Sequence, residues 1–147
     1  MTATAHALIG ASLALKLANP YIGIPAALIS HFIADMVPHW DAGTNHRKKT
    51  KLRLQIEATA DVVIGFVLVF LLFRNHVDPL YLYSMVIVAQ LPDWLESPYS
   101  MLGLNIPPFS TVHALQHRIQ SRMQLPWGLV TQVVSVGIIL VYSLWGL

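Results

Sequence analysis

The chain contains no cysteine, which excludes disulfides, iron–sulfur clusters and thiolate zinc sites. Any metal must sit on imidazole and carboxylate, a donor set that suits zinc, manganese, iron or magnesium. Charge is the second shortage. Only 11% of the 147 residues are Asp, Glu, Lys or Arg, against roughly a quarter in soluble domains. No basic stripe lies on a polar face, so nucleic acid is excluded as a partner. The start, Met1-Thr-Ala-Thr-Ala-His6, lacks the cationic stretch of a signal peptide and reads as the first helix of the mature chain.

Apolar side chain is what the sequence has in excess. It makes up 55% of the residues and comes in long blocks at about 3–18, 21–37, 56–73, 79–95 and 126–147. A spanning helix needs about 20 apolar residues. The third and fifth blocks meet that length, the first is short, and Gly23 and Pro25 interrupt the second. The expected fold is all-α, a single integral membrane domain over 1–147 built as a polytopic helical bundle of about five spans. Arg47, Lys48, Lys49, Lys51 and Arg53 crowd one loop, and Arg118 and Arg122 lie in another. If both loops are cytoplasmic, the N-terminus is inside and the C-terminus outside, as expected for an inner (plasma) membrane protein. Trp40, Trp94 and Trp127 then fall at the inner interface, and Tyr21, Tyr81, Tyr83 and Trp145 at the outer one.

A weak internal repeat runs through the chain. Thr4-Ala-His-Ala-Leu-Ile-Gly10 reads like Thr59-Ala-Asp-Val-Val-Ile-Gly65, and Val37-Pro-His-Trp40 like Leu91-Pro-Asp-Trp94. Asn45-His-Arg47 echoes Gln116-His-Arg118 more loosely. The halves, about 1–54 and 55–122, point the same way and imply a parallel repeat, with 126–147 as an added span. A chance echo between apolar stretches is the alternative.

Six of the seven histidines and six of the seven acids fall at one end of this bundle, leaving out only His76 and Asp78. His31-x-x-x-Asp35 places both groups on one helical face, and His39 extends it past Pro38. His113-x-x-x-His117 repeats the spacing on a helix expected to start at Ser110 or Thr111, after Pro107-Pro108. Such pairs also occur on solvated helices, so their convergence carries more weight than either alone. Acids inside a span cost about 2.5–3.5 kcal/mol and usually face the bundle interior, which singles out Asp35 and Asp61. The expected metal ligands are His6, His31, Asp35, Asp61, Asp93, His113 and His117. Glu96 is placed as general base and His39 as a further catalytic group. Arg47 and Arg118 are candidate phosphate contacts, although cationic loops also face lipid headgroups. Asp41 and His46 stay open, the latter reading as solvent-exposed in its basic loop.

With these residues in place, the chain resembles the YdjM-like family of inner-membrane metal-dependent hydrolases. The likeness lies in Ala5-His6 before a small-residue helix to Gly10, in Leu91-Pro92-Asp93 ending a span, and in Ser30-His31-Phe-Ile-Ala34-Asp35. The resemblance implies a bundle with metal-binding His and Asp at the membrane face and hydrolase activity, and it carries over to His6, His31, Asp35 and Asp93. The family's His-Arg-x-x-Thr-His segment is absent. Val112-His113-Ala-Leu-Gln-His117-Arg118 stands where a His-rich motif is expected, and the Ser-His-x-x-Ala-Asp helix comes early rather than late. A single His-x-x-x-Asp pattern also resembles zinc-dependent phospholipases C.

The function this predicts is hydrolysis of a phosphoester of a membrane lipid or other amphiphile at the cytoplasmic interface. The activated water would be supplied by one to three divalent ions, zinc first, with manganese or iron as alternatives. Transport of a divalent metal or a proton is a second reading, but the outer half carries few polar groups. A structural metal site in a non-catalytic membrane protein is a third, and would be closed by protein ligands rather than open to water. Haem is disfavoured by the carboxylates.

Overall fold

The computed structural model describes residues 1–45 and 48–145. Six helices follow one another: α1 (Ala3–Lys16), α2 (Pro20–Met36), α3 (Lys51–Phe73), α4 (Pro79–Leu102), α5 (Phe109–Ile119) and α6 (Trp127–Leu144). The fold is all-α. α3 and α6 are long and apolar enough to cross a membrane. α1 and α2, at 14 and 17 residues, fall at or below the lower limit.

α1 is the centre of the molecule and packs against α2, α3, α4 and α6. Its sequence explains why. Ala3, Ala7, Gly10, Ala11 and Ala14 line one face of the helix, and Ala7, Ala11 and Ala14 are buried there, with Ala5 buried on the other side. Small residues let backbones approach closely. A β-carbon at Gly10 would lie 2.9 Å from both the Ala89 methyl and the Met85 carbonyl of α4. Ser143 Oγ of α6 donates to Ser12 Oγ of α1 at 3.1 Å. Larger side chains, among them Phe73, Leu82 and Met85, fill the core farther along. The outward faces of α2, α3 and α6 stay apolar and exposed, as at Ile29, Ile33, Val67, Leu71, Val134 and Ile138.

The beginning of α1 lies beside the end of α2 and the first turns of α6. Thr2 N donates to Gln132 Oε1 at 3.1 Å, and Gln132 Nε2 returns a bond of 3.1 Å to Thr2 Oγ1. The Met1 amino group contacts Asp35 of α2. The far end of α1 carries Lys16, whose ammonium lies 5.8 Å from the Tyr142 ring of α6.

Two helices end differently from the sequence expectation. α4 continues through Pro92 and Pro98 to Leu102, where Gly103 adopts a left-handed φ of 75°. Each proline removes one helical hydrogen bond, but packing against α1, α2 and α5 holds the helix together. α5 starts at Phe109, with Pro108 at its N-cap and no side-chain cap, so Ser110 and Thr111 fall inside the first turn. In the echoing segments, Pro38 follows the end of α2, whereas Pro92 lies inside α4.

The close approach at Gly10 is testable by thermal unfolding of the purified protein. Gly10→Ala is expected to destabilise by about 1–3 kcal/mol, the usual cost of overpacking. Gly137→Ala, with open space around it, is expected to be neutral or to gain about 0.5–1 kcal/mol from helix propensity.

Candidate metal centre

Three helices bring ligand atoms together at one end of the bundle. His6 comes from the start of α1, His31 and Asp35 from the last turns of α2, and Asp93 from α4. One nitrogen of His6, one of His31 and one oxygen of Asp93 all lie within 4.8 Å of one another. The two imidazole rings stack, with centroids 4.0 Å apart. His6 Nε2 is 3.2 Å from Asp35 Oδ1 and 3.9 Å from Asp93 Oδ2. His31 Nε2 is 3.4 Å from Asp35 Oδ2 and 3.6 Å from Asp93 Oδ1. His6, His31 and Asp35 are at most 1% exposed, whereas the Asp93 side chain is 29% exposed.

The hydrogen bonds fix which nitrogen faces the cluster. His31 Nδ1 lies 2.8 Å from the carbonyl oxygen of Ala89. A carbonyl only accepts, so Nδ1 carries a proton, and Nε2 is the nitrogen turned toward Asp35, Asp93 and the Gln116 amide. Ala89 sits in the turn that Pro92 disturbs, which ties the ring's aim to the shape of α4. An imidazole held through its far nitrogen by a carbonyl is the support that metal-bound histidines have. His6 Nε2 is buried and makes no hydrogen bond. An unpaired buried nitrogen beside carboxylate oxygens is costly, and a cation between them removes that cost. The spacing suits one: atoms about 2.0–2.2 Å from a tetrahedral zinc stand roughly 3.3–3.6 Å apart.

α5 contributes a residue that sequence reasoning missed. Gln116 is buried, and its Nε2 lies 2.9 Å from Asp93 Oδ1 and 3.0 Å from His31 Nε2. Its Oε1 is buried without a partner. Gln120 Nε2, one turn on, donates to Asp35 Oδ2 at 3.3 Å. The signal in the sequence is an i, i+4 glutamine pair interleaved with His113 and His117, where the imidazoles look like the better ligands.

Next to this cluster the chain leaves α2 and pairs briefly with the segment after α5. His39 N donates to Ser121 O at 3.0 Å, Met123 N to His39 O at 2.7 Å, and Ser121 N to Asp35 O at 2.9 Å. Trp40 N donates to Gly128 O at 3.1 Å, an approach that leaves no room for a β-carbon at Gly128. His39 and Asp41 are thereby buried beside Asp35, with Arg122 Nε 2.9 Å from Asp41 Oδ2. Burial works against charge on Asp41, but the neighbouring His39 ring and the Arg122 guanidinium prevail and hold its carboxyl well below the usual range.

The other expected site residues lie elsewhere. Asp61 accepts from the amides of Ala3 and Thr4 at 2.5 and 3.1 Å, so it caps the start of α1 from a neighbouring helix. His113 Nδ1 donates to Glu96 Oε1 at 2.8 Å beneath a stacked Tyr99 ring, with the His117 ring 6.0 Å away. His117 and Arg118 are exposed. Arg47 and His46 lie outside the described residues. A shallow apolar groove lined by Lys16, Ile138, Tyr142 and Trp145 among others lies at the opposite end and holds none of these groups. No protein-family profile, curated protein or solved structure matches the chain.

These placements separate ligand from cap. His31→Ala is expected to abolish most divalent-metal binding by the purified protein. Asp61→Asn is expected to keep the metal while losing about 0.5–2 kcal/mol of stability, the usual value of a helix cap. Elemental analysis and thermal unfolding of both variants read the difference, and metal loss in Asp61→Asn alone would reverse the assignment.

Proposed function

We propose that the protein is a membrane-embedded metal-dependent hydrolase that cleaves a phosphoester of a lipid or amphiphile at the cytoplasmic interface. The observation that carries this reading is the convergence of His6, His31 and Asp93 with a buried, unpaired imidazole nitrogen at its centre. The resemblance of the Ala5-His6, Ser30-His31…Asp35 and Leu91-Pro92-Asp93 motifs to the YdjM-like family supports it. So do the exposed apolar faces of α2, α3 and α6, larger than soluble monomers usually tolerate. In this reading the chain is multi-pass in the inner membrane, with the cluster on the cytoplasmic side.

A divalent ion at such a centre lowers the pKa of a bound water and polarises a phosphoryl oxygen. The remaining work falls to the chain. Asp93, the most exposed carboxylate of the cluster, is where a substrate arriving from the interface first meets it. Glu96 lies one turn beyond Asp93 on α4 and holds His113 through Nδ1, a carboxylate contact suited to the imidazolium, whose Nε2–H would then give its proton to a leaving oxygen and return the ring to the neutral form. Gln116 holds His31 and Asp93 in register and occupies space that bulk water would otherwise fill.

The test is turnover of phosphatidate and of a soluble phosphomonoester by the protein in mixed micelles, before and after chelation. Activity is expected to vanish with the metal and return with zinc or manganese. Glu96→Gln is expected to lower kcat about 100-fold, the scale of a lost proton-transfer group, without changing metal content. Metal-replete protein that hydrolyses no phosphoester would refute the reading.

A further inference from the structure

His39 is a buried imidazole with an unpartnered nitrogen that the cluster above does not use. It is fully buried, and its Nδ1 lies 2.8 Å from the Val37 carbonyl, so Nδ1 carries a proton and Nε2 is the nitrogen left for a ligand. Nε2 faces Asp35 Oδ1 at 3.9 Å and Asp41 Oδ2 at 3.7 Å, and has no hydrogen-bond partner. Both separations exceed a hydrogen bond. The Met1 ammonium and the Arg122 guanidinium sit on these two carboxylates, but neither reaches Nε2, which stays unpartnered and sealed from water, an unfavourable state for a polar atom.

Resting on the metal-site reading above, we propose that His39, Asp41 and Asp35 hold a second divalent cation, with Asp35 bridging the two ions. Asp35 is placed to do so. Its Oδ2 faces His31, and its Oδ1 faces both His6 and His39. The Met1 ammonium contacts Oδ1, so the bridging cation would displace it from that edge. Asp41 is braced in the same way, since Thr44 Oγ1 donates to its Oδ1 at 2.8 Å and Arg122 Nε to its Oδ2 at 2.9 Å. A ligating carboxylate fixed by outer hydrogen bonds is what a metal site requires. The backbone pairing at His39 and Ser121 holds the ring in place from the other side. Paired ions sharing a carboxylate suit phosphoester cleavage, because they clamp the attacking and leaving oxygens together.

The experiment loads the purified full-length protein with manganese(II) and measures ions per chain and the electron paramagnetic resonance spectrum. Two ions per chain with an exchange-coupled spectrum are expected, and His39→Gln is expected to halve the content and leave an isolated-ion signal. One ion per chain with an uncoupled spectrum in the wild type overturns the second site and leaves the first standing. No bound ion overturns both. Two coupled ions retained in His39→Gln overturn the ligand assignment. The wild-type spectrum decides between one ion and two even where the variant does not fold.

Discussion

Acceptor facing acceptor is the constraint around which this end of the molecule is built. His31 and His39 are tied through Nδ1 to main-chain carbonyls, and their Nε2 atoms point at carboxylates; the Gln116 amide meets that of His31, while that of His39 is buried without a partner. Such an arrangement repels itself in a low-dielectric interior. The fold nevertheless enforces it, because α1 is narrow enough to bring His6 against the facing ends of α2 and α4. Narrowness comes from composition: alanine and glycine take up little volume, so the helices around α1 close over the polar groups.

The helical segments were legible because long apolar blocks have few alternatives to helix. The shortness of α1 as a span was also legible from length, but Gly23 and Pro25 do not interrupt α2, which runs unbroken from Pro20 to Met36. The extent of α4 was not. A proline reads locally as a stop, and only the contacts with α1, α2 and α5 carry the helix past Pro92 and Pro98. His6, His31, Asp35 and Asp93 could be gathered from sequence because each is a polar residue in an apolar context, where few roles exist. Asp61 has the same signature and a different occupation. Whether an acid in an apolar helix meets other polar side chains or a helix's free amides depends on which backbone end lies opposite, and that is a tertiary fact.

α5 shows the second limit. Residues 113, 116, 117 and 120 share one broad face, and spacing alone does not tell which edge turns inward. The structure rotates Gln116 and Gln120 to the cluster and leaves His113 with Glu96 at its margin. Neutral amides suit the interior position, since they bridge a nitrogen and a carboxylate without adding charge. The internal echo between Val37-Pro-His-Trp40 and Leu91-Pro-Asp-Trp94 is likewise realised unequally. One proline releases the chain from its helix and the other is absorbed, so His39 is delivered by a loop and Asp93 by a continuous helix.

The bond from His31 to Ala89 has a consequence of a different kind. Its acceptor is a peptide oxygen, so no exchange of side chain at position 89 can delete it. The aim of the imidazole is therefore set by the sliding of one helix along another, and volume changes remote from the chemistry can retune it. Drift in this lineage would be felt first as a change in the aim of His31, well before the side chain itself was lost.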